Sequence, residues 1–286
     1  MQLHCGPYRL SLNRPLIMGI VNVTPDSFSD GGKFIDADVA IAHARQLVEE
    51  GADILDIGGE SSRPGAAPVP LEKELARVLP VLEGLKGIGV PISVDTGKPE
   101  VMAAAIAAGA TLINDISALS APGALEVVAD SDAAVCLMHM QGEPRSMQTD
   151  PQYHDVVTEV CDYLAHRMKT VLAAGIVRER IIIDPGYGFG KTLEHNIKLL
   201  RGLPQLAALG VPVLAGWSRK SSLGKITGRD AQERMPASLA AALLCIQHGA
   251  RILRVHDVAA TRDVIAVWEA VEGRGPHSDA AKEKKE

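Results

Sequence analysis

Short apolar runs recur along the chain and alternate with longer stretches of mixed polarity. Eight runs can be recognised, and nearly every one ends in a polar or reactive residue beside a turn that contains Gly or Pro. They read IMGIVNVTPDSF, DILDIGGESSRPG, PISVDTGKP, TLINDIS, AVCLMHMQG, IIIDPGYGFGK, VPVLAGWSRK and RILRVHDV. Buried parallel strands have near-continuous apolar sequences of this kind. Their alternation with helices predicts right-handed crossovers and a parallel sheet.

The stretches between the runs have the apolar spacing of amphipathic helices. We expect helices over residues 37–50, 71–85, 99–108, 156–174, 193–200, 237–248 and 258–268, with a weaker helical pattern over 119–130. Pro99, Pro122 and Pro236 stand where helices should begin, a position that needs no N–H. Gly51 stands where the first helix should stop. The alternation predicts a (β/α)8 TIM barrel of the α/β class, as a single domain over residues 1–272.

The two ends of the chain depart from this repeat. Residues 2–12 have the pattern of an N-terminal β-hairpin, which we expect to plug the floor of the barrel. Residues 273–286 are rich in Gly, Pro, Ser, Lys and Glu and predict a disordered charged tail. Residues 24–33 and 58–70 follow the first two strands, and their Gly, Ser and Pro content predicts mobile loops at the face where lids form.

Length and composition agree with one large core. The chain has 286 residues, of which 47% are hydrophobic and only 3% aromatic. The formal charge of −6 does not indicate the basic surface that nucleic-acid-binding proteins carry. No stretch approaches the length of a membrane span and residues 1–16 lack a signal-peptide pattern, so we expect a cytoplasmic protein without membrane contacts. The four widely spaced cysteines predict buried reduced thiols rather than disulfides or zinc ligands.

Polar residues at the ends of the runs are the candidates for chemistry, because the strands of a β/α barrel all open on the face that carries the active site. Those expected to converge there are Asn22, Asp56, Asp95, Asn114, Asp115, Asp184, Lys220, Arg254 and His256. Any single Asp among them could instead be a helix cap or a turn residue. Asp95, Asn114 and Asp184 together favour a site that recognises two adjacent N–H donors. A pterin-like or guanine-like heterocycle presents such a pair of donors.

A second group of residues suits an anion. Asn22, Ser61, Ser62, Arg63, Arg254 and His256 could surround a polyphosphate with hydroxyl groups and cations. Asn22 could offer a neutral oxygen to Mg²⁺, an ion that is commonly held through phosphates. Arg63 could also be no more than a solvated loop charge. Arg254 and His256 alternate along a strand and therefore face the same side of it.

A third group is WSRKSSLG, residues 217–224, which we expect to open a short helix. Its free N–H groups could attract a carboxylate or phosphate, with Lys220 donating to the heterocycle and Ser221 capping the helix. A plain cap beside a surface lysine is the alternative.

The glycines of residues 186–190 resemble two phosphate-binding motifs and match neither. A P-loop requires Gly where Pro185 stands, and the G-x-G-x-G spacing differs from a dinucleotide fingerprint. A flexible loop that lets Phe189 form a wall of the site explains them better.

The ordered series of segments resembles the dihydropteroate synthase family over nearly the whole chain. The segments that carry the resemblance are IVNVTPDSFSDGG, DIGGESSRPG, SVDT, INDIS, LMHMQG, DPGYGFGKTLEHN, SRKSSLG and RVHDV. The resemblance implies a Mg²⁺-dependent transferase of folate biosynthesis. Such an enzyme joins 4-aminobenzoate to 6-hydroxymethyl-7,8-dihydropterin diphosphate and releases diphosphate by a dissociative substitution. It also implies a homodimer formed through helices on the outer wall of the barrel.

The same resemblance implies a role for each candidate. The pterin would be held by Asp95, Asn114, Met138, Asp184, Phe189, Gly216 and Lys220. The diphosphate would be held by Asn22, Ser61, Ser62, Arg63, Arg254 and His256, with Asn22 also on the metal. The 4-aminobenzoate would be framed by Phe28, Pro64, Lys220 and Ser221. Catalytic roles would fall to Asn22, Asp95, Lys220, Arg254 and His256, and lid contacts to Asp26, Ser27, Phe28 and Asp30.

Two other functions are compatible with this pattern. A corrinoid-linked methyltransferase can share the barrel and the pterin-reading Asp and Asn residues, but it has no use for diphosphate or for the SRK and RVHD segments. A non-catalytic folate-binding or regulatory protein would bind pterin without condensation and would be expected to have degraded loops. Both loops look intact here. Ser62, Trp217 and Ser146 differ from the common family pattern without removing a candidate residue.

Overall fold

A computed structural model describes residues 1–23, 33–61 and 65–273. Some of the predicted positions fall outside these ranges. They are the lid contacts Asp26, Ser27, Phe28 and Asp30, the loop residues Ser62, Arg63 and Pro64, and the tail from residue 274 onward.

Parallel strands form a closed barrel in the described part of the chain. They are β3 (Leu16–Asn22), β4 (Ile54–Gly58), β5 (Ile92–Asp95), β6 (Leu112–Asp115), β7 (Ala134–Met138), β8 (Ile181–Asp184), β9 (Leu214–Ala215) and β10 (Ile252–Val255). Their hydrogen-bonded order is β8-β7-β6-β5-β4-β3-β10-β9. A parallel bridge between Ile183 and Val213 joins the two outermost strands and closes the ring. The predicted (β/α)8 barrel is confirmed.

Helices connect the strands and cover the outside of the barrel. In the described ranges they are α1 (Lys33–Glu49), α2 (Leu71–Gly84), α3 (Pro99–Ala107), α4 (Ala124–Ala129), α5 (Val156–Ala173), α6 (Leu193–Arg201), α7 (Leu203–Ala207), α8 (Ser221–Thr227), α9 (Met235–Gln247) and α10 (Val258–Val271). Pro99 opens α3 and Pro236 lies in the first turn of α9, as predicted. Gly51 has a φ of +98° just beyond α1, which only glycine adopts without strain.

Two details of the helix prediction are wrong. The first helix begins at Lys33 rather than at residue 37. The weak pattern over 119–130 yields only the short helix α4, because Ala118 and Leu119 have positive φ angles and Gly123, at +87°, interrupts the helical backbone. Pro122 consequently precedes this helix instead of opening it.

The lower half of the barrel interior is apolar. Inward-facing side chains from the barrel strands other than β5 form a cluster of Leu16, Met18, Ile54, Leu112, Ala134, Cys136, Ile182, Leu214 and Ile252. The hairpin of β1 (Gln2–Cys5) and β2 (Tyr8–Ser11) places Leu3 and Cys5 against it, joined by Leu12. The predicted plug is confirmed. Alternate residues of a strand face the same side, so the residues further along each strand line the upper half.

The remaining structural expectations concern cysteines and membrane contact. Cys5, Cys136, Cys161 and Cys245 are all free thiols, and three of them are buried, as predicted. Among the described residues, no helix combines the length and the apolar character that crossing a bilayer requires.

Candidate active site

The register of the parallel strands places several of the predicted residues next to one another on neighbouring strands. Asn22 pairs with Gly58, Gly58 with Asp95, and Asp95 with Asn114, so these positions lie side by side across β3 to β6. A methyl group built on Gly58 would lie 3.6 Å from Asn22 Oδ1 and 3.9 Å from Asp95 Cβ. The glycine therefore leaves space between the two side chains at the open end of the barrel.

A buried network joins β4, β5, β6 and β10 through Asp56 and Arg254. Its Nε donates to Asp56 Oδ2 at 2.6 Å and its Nη2 to Asp95 Oδ2 at 2.8 Å. Asn114 Nδ2 donates to the same Asp56 oxygen at 3.1 Å. Asp56 is fully buried, and the side chain of Arg254 is only 18% exposed. Asp56 was expected at the barrel mouth without a role, and the structure makes it the residue that Arg254 and Asn114 share.

Burial and charge shift the pKa values in this network. The pKa of Asp95 is raised to about 7, chiefly by burial; the charge of Arg254 opposes the rise, and repulsion by Asp56 adds to it. Burial alone would lower the pKa of Arg254, but Asp56 and Asp95 raise it above its ordinary value. The guanidinium therefore stays charged, whereas Asp95 titrates near neutral pH. Such a group can exchange a proton with a ligand at physiological pH.

Asp184 faces the same interior from β8. Its Oδ1 accepts a hydrogen bond from the Gly186 N–H at 2.7 Å. Burial raises its pKa, and the nearby charges of Lys220 and Arg254 oppose that rise. A methyl group on Gly216 would lie 3.8 Å from both Asp184 Oδ2 and Arg254 Cβ, so Gly216 borders the same space. The structure thus brings Asp95, Asn114, Asp184 and Gly216 together as predicted.

Lys220 enters this space from the start of α8. Its Nζ donates to the carbonyl oxygen of Tyr187 and lies 4.6 Å from the centroid of the Phe189 ring. Burial lowers the pKa of Lys220 to about 8, opposed by attraction to Asp184 and Asp95. Lys220 is thus not the surface lysine of the alternative interpretation. Phe189 packs with Met138 and Met147 in an apolar cluster, which is the wall expected from the sequence.

The SRK turn is shaped by Arg219. This residue has a φ of +55°, which is rare outside glycine and strained. Its N–H donates to Ser238 Oγ at 2.9 Å and its Nε to Asp257 Oδ2 at 3.0 Å, contacts that hold the turn. Lys220 occupies the N-cap position of α8 and no side chain caps the helix, so the prediction that Ser221 caps it is wrong. Ser221 is exposed.

His256 and Asp257 follow the end of β10, and their side chains make different contacts. Ser218 Oγ lies 3.0 Å from His256 Nδ1 and also accepts from the His256 N–H at 3.2 Å. Asp257 instead pairs with Arg219. Sequence reasoning placed Ser218 in the WSRKSSLG group but gave it no role of its own.

The loop after β8 is packed closely against the loop after β7. Gly186 and Gly190 have φ angles of +68° and +60°, and a methyl group on either would overlap a carbonyl oxygen, that of His139 or of Gln141. Lys191 is 3% exposed and donates to Phe189 O at 2.9 Å and His139 O at 3.2 Å. These glycines permit close backbone approach, which corrects the interpretation of a flexible loop. Lys191 was missed by sequence reasoning.

Asp115 does not belong to the site, contrary to expectation. It is fully buried, and its two carboxylate oxygens accept from the N–H groups of Ser117 and Leu119, both at 2.7 Å. Adjacent residues of a strand face opposite sides, so Asn114 faces inward while Asp115 holds the turn outside the barrel. The turn interpretation that was open for any single Asp is the correct one here.

Comparison with known proteins agrees with this geometry. Residues 18–256 match the family model described as pterin binding enzyme. The chain belongs to the pterin-binding enzyme family. Among members of this family, the dihydropteroate synthase of Neisseria meningitidis serogroup B is 55% identical over 273 residues, which cover 93% of this chain and 96% of the relative.

Solved structures place the chain more closely within the pterin-binding enzymes. Dihydropteroate synthase of Xanthomonas albilineans with 4-aminobenzoic acid has a TM-score of 0.90 and 56% identity, covering 95% of this chain and 98% of that one. The same enzyme in complex with 7,8-dihydropteroate has a TM-score of 0.86 and 52% identity, covering 95% and 99%. The chain is accordingly a transferase of the dihydropteroate synthase type.

Proposed function

We propose that the chain condenses 6-hydroxymethyl-7,8-dihydropterin diphosphate with 4-aminobenzoate to give 7,8-dihydropteroate and diphosphate, in folate biosynthesis. The observation that carries the proposal is the convergence of Asp95, Asn114, Asp184 and Lys220 at one end of the barrel. Relatives with 4-aminobenzoic acid and with 7,8-dihydropteroate support it. Both substrates are small molecules, so the proposal involves neither nucleic acid nor membrane.

Hydrogen-bond acceptors of the protein recognise the pterin ring. Its exocyclic amine and adjacent ring N–H present two donors side by side, which suit the carboxylate of Asp184. Asn114 uses its amide nitrogen on Asp56, so its carbonyl oxygen remains as an acceptor. Lys220 supplies a donor for the acceptor atoms of the ring. Met138 and Phe189 provide apolar surface at the edge of the site.

Diphosphate and Mg²⁺ are assigned to the neighbouring part of the mouth. No cluster of three or more His, Cys, Asp or Glu residues suited to a metal occurs in the described part of the chain. Mg²⁺ usually keeps waters and binds through one or two protein oxygens plus substrate phosphates. Asn22 Oδ1 fits that donor set, and bound Mg²⁺ would neutralise charge on the diphosphate. Arg254 lies on β10 and His256 follows the end of that strand, and we assign the diphosphate to these two residues together with Ser61, Ser62 and Arg63.

The substitution proceeds in two steps. The C–O bond between the pterin methylene and the diphosphate breaks first, and both electrons leave with the diphosphate. The electron-rich dihydropterin and the carboxylates of Asp95 and Asp184 stabilise the cationic methylene, because fixed charges act strongly in a water-poor site. The lone pair of the aniline nitrogen then forms the C–N bond, and that nitrogen loses a proton. Lys220, Ser221, Phe28 and Pro64 frame the 4-aminobenzoate.

The proposed oligomer is a homodimer formed through outer helices. Leu244 on α9 and Val267 and Val271 on α10 are large apolar side chains that are 43%, 66% and 80% exposed. These two helices pack against each other, and the proposed interface takes in all three side chains. Sedimentation velocity of the L244E/V267E variant tests the proposal. A monomer is expected for the variant and a dimer for the unchanged chain, and equal sedimentation of both contradicts this interface.

The decisive test of the function is a condensation assay with Mg²⁺ and both substrates. Dihydropteroate and diphosphate should appear in equal amounts, and EDTA should abolish both until Mg²⁺ is restored. Activity that persists in EDTA refutes the metal assignment alone. Pterin binding without condensation refutes the synthase and favours the regulatory or methyltransferase alternative.

A further inference from the structure

Asp56 takes no direct part in the proposed chemistry. It lies on β4 one inward-facing position before Gly58, and none of its surface is exposed. Its Oδ2 accepts two hydrogen bonds, from Asn114 Nδ2 and from Arg254 Nε. The partners come from β6 and β10, on opposite sides of β4 in the sheet order. One buried carboxylate oxygen therefore fixes two side chains that the proposed function assigns to substrates.

The chemistry of a carboxylate decides how Asn114 is oriented. An ionised carboxylate can only accept hydrogen bonds, whereas a side-chain amide has a donating nitrogen and an accepting oxygen. Asn114 must therefore turn its nitrogen toward Asp56. The amide oxygen is then directed to the other side. A pterin that offers N–H donors needs that oxygen, and a reversed amide would meet those donors with further donors.

Arg254 is oriented by the same atom. Its Nε binds Asp56 and its Nη2 binds Asp95, so two carboxylates fix the guanidinium plane. The planar fork of Arg makes such paired contacts directional. Without Asp56, only one of these contacts would remain, and the guanidinium could rotate about Asp95.

We infer that Asp56 is a positioning residue that turns the Asn114 amide oxygen toward the pterin and aligns Arg254. The inference rests on the proposed function, since it concerns the same pterin site. The role depends on an accepting oxygen at this place rather than on negative charge. An Asn at position 56 can present its carbonyl oxygen to both donors, and Ala cannot.

The test measures binding of 6-hydroxymethylpterin, which lacks the diphosphate, by calorimetry. D56A should weaken binding at least tenfold, and D56N should restore it to within about threefold of the unchanged chain. If Asp56 acts through Asn114, the double variant D56A/N114A should bind no more than about threefold more weakly than N114A. The matched control is S93A, which removes a buried hydroxyl paired in register with Asp56 and should bind normally.

Each outcome has a separate meaning. Binding of D56A at the affinity of the unchanged chain overturns the inference, and so does a double variant whose loss equals the product of the two single losses. If D56N loses as much as D56A, charge rather than hydrogen-bond geometry is at work and the positioning role fails. Should D56A not fold, D56S replaces it, because its hydroxyl is too short to reach both donors. Failure of the unchanged chain to bind pterin would instead refute the proposed function.

Discussion

Replacing Arg254 by Met should destabilise the protein by about 3–5 kcal/mol near pH 8.5, the usual cost of removing one partner from a buried ion pair. Met keeps much of the length and apolar volume of the side chain, so the main loss is the two hydrogen bonds of 2.6 and 2.8 Å to Asp56 and Asp95. The variant leaves two carboxylates in a site where Asp56 is fully buried and the Asp95 side chain is 10% exposed.

The loss should depend on pH in a defined direction. The folded-state pKa of Asp95 is about 7, above its value of about 3.9 in an unfolded chain, so its contribution to stability falls as pH rises through 7. Arg254 lowers that pKa, and its removal must raise the pKa further. Above pH 7 the free energy of unfolding of the variant therefore keeps falling by about 1.4 kcal/mol per pH unit, whereas that of the unchanged chain no longer falls. The difference between them should grow by about 2 kcal/mol from pH 6.5 to 8.5.

Urea denaturation at pH 6.5 and 8.5 measures this difference. The matched control is Arg262→Met at the other end of the barrel, where Arg262 binds Asp53 at 3.0 Å with a side chain 28% exposed. Asp53 keeps Arg14 as a partner, so this variant should lose at most about 1 kcal/mol, equally at both pH values. A loss below about 1 kcal/mol for Arg254→Met at pH 8.5, or a loss that does not change with pH, would refute the reasoning.

Three further predictions concern the pterin wall and the lysine. Asp184→Asn turns one acceptor into a donor that faces donors, so calorimetry should show at least a tenfold loss of pterin affinity, and unchanged affinity would contradict the acceptor role. Gly186→Ala should cost at least about 2 kcal/mol more in urea denaturation than Gly175→Ala. Both positions have positive φ, but only a methyl at 186 meets His139 O; equal losses would be inconsistent with close packing. Because the pKa of Lys220 is lowered to about 8, the affinity for 4-aminobenzoate should fall from pH 7 to 9 in the unchanged chain. The affinity of the Lys220→Arg variant should fall less over this range. Parallel curves of affinity against pH for the two proteins would exclude this lysine as the titrating group.

The fold could be predicted from sequence because its signals are local. Continuous apolar runs, helix-starting prolines and Gly51 each act within a few residues, and a parallel sheet follows from their alternation. The inward direction of Arg254 also followed from the two-residue period of a strand. That period cannot decide between neighbours, which is why Asn114 and Asp115 were placed together although only Asn114 faces the interior.

The connections within the site could not be predicted in the same way. Asp56 and Arg254 are 198 positions apart in the chain, and only the closure of the barrel brings them to 2.6 Å. Ser221 was assigned a cap because Ser is common there, but Lys220, which follows the strained Arg219, takes the N-cap position of α8. Long-range register and local strain, rather than residue type, decided these details.

In the described part of the chain, the hairpin closes one end of the barrel and leaves the other end as the entrance to the site. Leu3, Cys5 and Leu12 close the far end against the apolar layer of the barrel, so nothing bound at the level of Asp95 and Asp184 can leave through the floor. In the proposed condensation, two reactants and two products would then share the open end of the barrel, and the molecule bound deepest would bind first and leave last. The order of binding and release would therefore follow from the shape of the barrel. A compound bound at the rim would block the release of the molecule beneath it.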